Sequence, residues 1–341
     1  MAGLRVSVSL PRLVPGLLGA LLGGLVAALF VASLLIGPAG LGLRESLAAL
    51  VTGRGEAVVL VMREIRLPRA LLGLLVGAVL GLSGAAMQGY LRNPLAEPGL
   101  IGVSATAALG AVLALQTGLA ALFVGALPLM ALAGAGVSVL LILALAGPRG
   151  GALALILAGI AVSALAGAAT SLVLNLSPNP FAAMEIVYWM MGSLADRSMA
   201  HVWLAAPLMV AGMALLLSLG QGLDALTLGE DAAQAMGVRL VRLRWTLICG
   251  TALAVGAAVA VAGAVGFVGL VVPHLMRPLV GGMPSRLLPA AALGGAAMVL
   301  GADVAVRLVA PDQDLKLGVL TALIGAPFFL HLIWQMRRVE A

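Results

Sequence analysis

Arginine carries most of the chemistry this chain can offer. Arg66 and Arg69 stand three residues apart in Arg66-Leu67-Pro68-Arg69, and Arg307 follows Asp303 by four. A guanidinium is a planar fork of donors that grips a carboxylate at two points, which an ammonium cannot do. At a span end such a residue reads either as recognition of an acidic group or as snorkelling to lipid headgroups. Asp303 lies one helical turn before Arg307, a spacing that predicts an internal ion pair orienting the arginine. Metal and catalytic chemistry find no comparable support. His201, His274 and His331 are scattered without ligand spacing, so no metal site is expected, and His274, behind Pro273, is expected to bond backbone groups at a helix break. Cys249 stands alone, which excludes an intrachain disulfide and reads as a packing residue. No nucleophile, base and orienting group stand together, so the chain does not read as an enzyme.

The elements that must hold these residues follow from composition. Hydrophobic residues make up 62% of the 341 and charged residues 9%, with a mean hydropathy of +1.18. Such a chain is an all-α integral membrane protein, because its apolar runs are continuous and do not alternate in polarity as barrel strands do. At about 20 apolar residues per crossing it has room for about ten spans, in one transmembrane domain over 1–341. They are expected near 13–36, 67–91, 95–115, 119–147, 151–174, 200–219, 244–270, 273–282, 287–309 and 317–336. The first run is long and lacks a small-residue cleavage site, so it reads as a retained span. Arg92-Asn93-Pro94-Leu95-Ala96-Glu97-Pro98-Gly99 makes a polar, proline-broken turn. Its backbone amides are too costly for lipid, so the turn must line a protein interior or a cavity. Residues 175–192, with Ser177-Pro178-Asn179-Pro180 leading into 181–191, predict an outer-surface helix. Tyr188 and Trp189 suit an interfacial belt, and Met184, Met190 and Met191 an adaptable apolar wall.

With the N-terminus in the cytoplasm, Arg5, Arg12, Arg92, Arg149, Arg239, Arg242, Arg244, Arg277, Arg286, Arg337 and Arg338 fall inside. Arg44, Arg54, Arg63, Arg66, Arg69, Arg197, Arg307 and Lys316 fall outside. The balance favours both termini inside, and the outer cluster between 44 and 69 runs against the rule, as an acidic partner would explain. The net charge of +6 has no interleaved aromatics and does not read as nucleic-acid binding. The segment from Arg66 resembles that from Arg244: apolar runs lead to Ser83-Gly84 and Ala262-Gly263, then to Asn93-Pro94 and Val272-Pro273. In this topology the two copies run in opposite directions, which makes halves of about 66–175 and 244–336 an inverted repeat, a transporter architecture. No P-loop is present, and the one lysine, Lys316, sits between leucines. An ATP-driven mechanism would therefore need a partner on the inner polar stretch 220–243. There, Leu228 to Gly237 predicts a short amphipathic helix with Glu230 and Asp231 in its first turn and glycine at its end.

Taken together, these segments resemble the FecCD family of permease subunits. The matching stretches are Arg66 to Arg69, Gln88 to Gly99, Tyr188-Trp-Met-Met-Gly-Ser193, Leu228-Gly229-Glu230 through Met236-Gly237, Gly266 to His274, Ala302-Asp303 through Arg307, and Gly318 to Phe328. The resemblance implies a type II ABC importer permease in the inner (plasma) membrane. It implies a homodimer, two cytoplasmic ATPase subunits that bind ATP and Mg, no cofactor in this chain, and an extracytoplasmic substrate-binding protein. It assigns Arg66, Arg69 and Arg307 to docking that protein, Asn93 and Leu95 to a cytoplasmic gate, and Leu228, Gly229, Glu230, Ala233, Met236 and Gly237 to ATPase coupling. Gly150, Gly151, Ala152 and Leu153 stand where the family has other, polar gate residues. Met283-Pro284-Ser285-Arg286 and Asp314-Leu315-Lys316-Leu317 also depart from its pattern, and Lys316 is expected at the outer mouth, near the binding protein or an anionic ligand.

The expected cargo is a metal chelate, a ferric siderophore first, with cobalamin and haem as alternatives. An ion-coupled secondary transporter would share the inverted repeat and hydropathy. It would need a coupling-ion site near the midplane, and its candidate carboxylates, Asp303 and Glu97, are both expected near span ends.

Overall fold

The computed structural model describes residues 15–37, 40–52, 56–123, 125–147, 151–310 and 315–340. Arg5, Arg12, Arg54, Arg149, Gly150 and Asp314 lie outside the described residues, as do the side chains of Arg337 and Arg338. The helices are α1 (Pro15–Leu35), α2 (Leu43–Thr52), α3 (Glu56–Leu60), α4 (Leu67–Leu91), α5 (Val103–Gln116), α6 (Leu119–Leu122), α7 (Ala126–Ala146) and α8 (Ala152–Asn175). They continue as α9 (Pro180–Met190), α10 (Met199–Leu217), α11 (Gly220–Leu226), α12 (Glu230–Ala235), α13 (Leu240–Ala262), α14 (Val268–Met276), α15 (Pro284–Val309) and α16 (Leu317–Glu340). Among the described residues seven helical stretches are long and apolar enough to cross a membrane, and three shorter apolar ones, Val103–Gln116, Val268–Val280 and Leu317–Leu332, complete a set of about the expected size.

The two copies of the repeat open with the two most buried long helices, α4 and α13. They run antiparallel: Tyr90 at the end of α4 interacts with Arg244 near the start of α13. At the opposite end, Leu194 packs over Gly73, and the next residue back, Ser193, donates from its N–H to the carbonyl of Ala262. Around them α1, α7, α8 and α10 keep most of their surface out of the protein interior. Leu140, Leu145, Leu153, Leu165 and Trp203 are exposed there, as a lipid-facing shell requires. Small residues bring the central backbones together. A Cβ on Gly77 would collide with the carbonyl of Gly295 on α15, and one on Gly84 with that of Gly269 on α14. Helices in a bilayer gain little from hiding apolar surface from one another, so close van der Waals approach over glycine is a main source of their association.

Several expected spans shift. The second does not begin at 67: helix runs from Glu56 to Leu91 through a π turn, Val61–Arg66, that widens the coil ahead of Pro68, whose missing N–H and ring would otherwise disturb the ladder. The third does not begin at 95, because Pro94, Pro98 and a left-handed Gly102 hold 92–102 as a turn and one 3-10 turn before α5. The fourth is interrupted after α6, where Phe123 turns extended. The spans expected at 244–270 and 273–282 divide elsewhere. The break is the link 263–267, where Gly263 at φ 68°, ψ −161° takes a conformation nearly confined to glycine, and Pro273 lies inside α14. His274 accordingly sits within a helix. Its ring meets Phe328 edge-on at 5.7 Å, and its Nδ1 has no hydrogen-bond partner among the described residues, in place of the expected bond to backbone.

Gly84→Ala should lower stability by about 1–3 kcal/mol through overpacking. Gly19→Ala, where nothing lies within 4 Å, should leave it unchanged or raise it; thermal unfolding in detergent measures both.

Candidate functional site

Helix α1 ends with carbonyls that no helical N–H can reach, and two arginines from other elements supply the donors. Arg66 Nη1 donates to Leu34 O at 3.0 Å and Leu35 O at 2.9 Å. Arg307 Nη1 donates to Ser33 O at 2.8 Å and Ile36 O at 2.6 Å, and its Nη2 to Ser33 Oγ at 2.7 Å. A cation at a helix C-terminus also faces the negative end of the dipole. The expected Asp303–Arg307 pair forms, with Oδ2 2.7 Å from Nη2. What sequence spacing did not reveal is that the other oxygen of Asp303 accepts from Arg69 Nε at 2.8 Å, across 234 residues. Asp303 is 1% exposed, so this one carboxylate joins α4 to α15, and through Arg307 to α1. Arg66 and Arg307 are almost wholly buried in the chain, whereas the Arg69 side chain keeps 19% of its surface.

A second polar cluster lies at the far end of α4. Pro273 has no N–H for the carbonyl of Gly269 four residues back. Gln88 Nε2 reaches that carbonyl at 3.5 Å and that of Leu270 at 3.3 Å. Its Oε1 accepts from Arg277 Nη2 at 2.8 Å. A glutamine inside an otherwise apolar span, four residues before a left-handed Arg92, was the available signal for this cluster. Beyond it, Asn93 is exposed and Leu95 half-buried; Asn93 Oδ1 accepts from Leu95 N at 2.9 Å, closing a tight turn.

The polar stretch between α10 and α13 folds as two short helices, not one. In α11, Asp224 Oδ1 accepts from Ser285 N at 2.8 Å, capping the start of α15. Helix α12 begins behind Gly229, whose φ of 106° and ψ of 160° belong to a region nearly confined to glycine, and closes at Gly237. Glu230 and Asp231 occupy its first turn, Ala233 is fully buried, and Leu228 and Met236 are 68% and 64% exposed. Two large apolar side chains flanking an acidic turn form a ready surface for a partner protein. At the Arg69 end, Asn179 caps α9 by accepting from Phe181 N at 3.0 Å, and Lys316 lies over the Tyr188 ring at 5.5 Å. A groove of about 610 Å³ walled by Met190, Met191, Val319, Leu323 and Pro327 is almost entirely apolar.

Comparison with known proteins gives this geometry a context. A model of the FecCD transport family matches residues 25–335. The Fe(3+) dicitrate transport system permease protein FecD of Escherichia coli (strain K12) is 39% identical over 278 residues, covering 81% of this chain and 86% of that protein. The cobalamin import system permease protein BtuC of Halobacterium salinarum is 42% identical over 297 residues, covering 86% and 78%. A solved structure described as an inward-facing, metal-chelate type ABC transporter superposes with a TM-score of 0.84 at 34% identity, covering 94% of this chain and all of that one.

Removing one partner from a buried ion pair typically costs about 3–5 kcal/mol, and Asp303→Asn should fall in that range. Arg69→Gln, at the wetter end of the network, should lower the thermal midpoint by clearly less.

Proposed function

The chain belongs to the FecCD transport family, and from that premise we propose that it is the membrane-spanning permease subunit of an ATP-driven importer for metal chelates. The observation that carries this reading is α12, a short exposed helix that offers Leu228 and Met236 beside Glu230 and Asp231, in a chain with no P-loop of its own. An ATPase gripping this helix would move α11 and, through the Asp224–Ser285 bond, the start of α15. The other end of α15 carries Asp303 and Arg307. A single packed helix thus connects the energy-coupling end to the arginine cluster.

In this reading the α12 end and both termini are cytoplasmic, in the inner membrane, and the Arg69 end faces outward. Two copies form the path, two ATPases bind ATP and Mg beneath it, and an extracytoplasmic binding protein docks on the arginine face. Arg69, with its residual exposure, meets a partner carboxylate first, and Arg66 and Arg307 hold α1 behind it. Rim charges of this kind set register and association rate more than affinity. Asn93 and Leu95, in the turn at the opposite end of α4, form a gate without a buried charge, which the bilayer would penalise. The Met-lined groove suits a bulky chelate held weakly. A ferric siderophore is the proposed cargo, with cobalamin and haem as alternatives; the relatives named above include a ferric dicitrate and a cobalamin permease.

Proteoliposomes holding this chain, its copurified ATPase and a binding protein loaded with ferric siderophore, cobalamin or haem test the proposal. ATP-driven uptake of ferric siderophore is expected, and Arg69→Glu should slow it about tenfold, mainly through association. Leu228→Asp with Met236→Asp should abolish copurification of the ATPase while leaving the permease folded. Absence of any ATPase partner, with uptake driven by an imposed proton or sodium gradient, would replace this reading with a secondary transporter.

A further inference from the structure

Glu97 does not lie at a span end. The chain between α4 and α5 turns back along α4, so that Glu97 shares a cavity of about 130 Å³ with Val76 and Leu80, near the middle of that helix. From the other half of the repeat the cavity is lined by Ala258 and Val259 of α13 and by the unwound link 263–267, and from α5 by Ser104. Among the described residues no other titratable side chain lines it. Glu97 makes no ion pair among the described residues. Arg197, near the same link, donates to Val261 O at 2.5 Å and interacts with Asp196. The lining is mostly apolar, but the unwound link brings backbone acceptors to it. Among the described residues no hydrogen bond reaches the carbonyls of Gly263, Ala264, Val265 or Gly266. That of Ala264 is packed against Gly192 and Gly318, which leaves the other three.

Glu97 is half-buried, and a carboxylate facing a cavity inside a membrane protein is stabilised by water, by a proton or by a positive charge. We propose that the cavity binds one monovalent cation, sodium or potassium. Glu97 supplies the counter-charge, and the Ser104 hydroxyl and the carbonyls of Gly263, Val265 and Gly266 supply neutral oxygen ligands. Hard cations are held by such oxygens, and unwound backbone beside a helix C-terminus is a recurrent way to hold them inside a membrane. The charge count selects the class: one carboxylate balances one positive charge, and a divalent ion would leave a net charge buried. The volume admits several waters at about 30 Å³ each, so a partly hydrated ion fits. Because Glu97 comes from one repeat and the link from the other, the ion would tie the two halves together near the bilayer midplane. The inference does not depend on which chelate is carried, or on whether ATP drives transport.

The test uses the purified full-length permease in detergent at pH 8, with choline chloride exchanged for sodium or potassium chloride at constant ionic strength. Thermal unfolding and binding of radiolabelled sodium, and of radiolabelled rubidium as the tracer for potassium, are the readouts. The wild type should show a saturable rise of a few degrees in Tm with one of the two ions, and Glu97→Gln should lose both the rise and the bound ion. Ser104→Ala, which keeps the charge, should shift the half-saturating concentration several-fold upward, and it serves as the probe if Glu97→Gln does not fold. A wild type indifferent to both cations, or a response unchanged in Glu97→Gln and Ser104→Ala, overturns the proposal. A Tm that ignores cations but varies with pH, and does so only while Glu97 is present, overturns it in favour of a protonated carboxyl.

Discussion

A carbonyl inside a bilayer has no water to accept from, and this constraint organises the polar part of the structure. At several helix ends, and at one proline inside a helix, a side chain from a distant element supplies the missing donor. Arg66 and Arg307 serve the end of α1. Arg244 reaches Gly147 O at 3.3 Å behind α7, and Arg197 reaches Val261 O at the end of α13. Gln88 serves Gly269 and Leu270 where Pro273 cannot. Arginine suits this work because it offers several donors and a charge of the sign that a helix C-terminus favours. The basic residues at the Arg69 end thus have an internal use.

This use gives the candidate docking face its character. Asp303 is a single buried acid among three arginines, and two of those are tied to α1. A buried ion pair adds little net stability relative to an apolar replacement, yet it is costly to break. Such a network therefore specifies where α1, α4 and α15 stand relative to one another more than it holds them there. Packing over Gly77, Gly84 and Gly295 supplies the attraction. Since α15 also meets α11 through Asp224, a displacement at one face of the membrane has a stiff path to the other.

The class of fold, the approximate number of spans, the antiparallel repeat, the surface helix after the fifth span and the short acidic helix near 230 were all legible in the sequence. Each is a local property: hydropathy over a helix length, glycine at a required φ, acids in a first turn. The Asp303–Arg307 pair was legible for the same reason, being four residues apart on one helix. Glycine and proline were read less well, because their effect depends on what lies beside them. Pro68 and Pro273 looked like boundaries, but a π turn accommodates one and Gln88 compensates the other, so both lie within helices.

What the sequence determined by itself was which segments must leave water and in which conformation, since burial and backbone preference are summed along the chain. The tertiary structure alone decided which groups meet across it: Arg69 with Asp303 over 234 residues, Gln88 with the α14 carbonyls, and Glu97 beside the middle of α4 and not at a span end. A polar group in a membrane must find a partner, but its identity carries no record of which partner it finds. That is settled only when the helices pack and the remaining unpaired donors and acceptors are brought within reach.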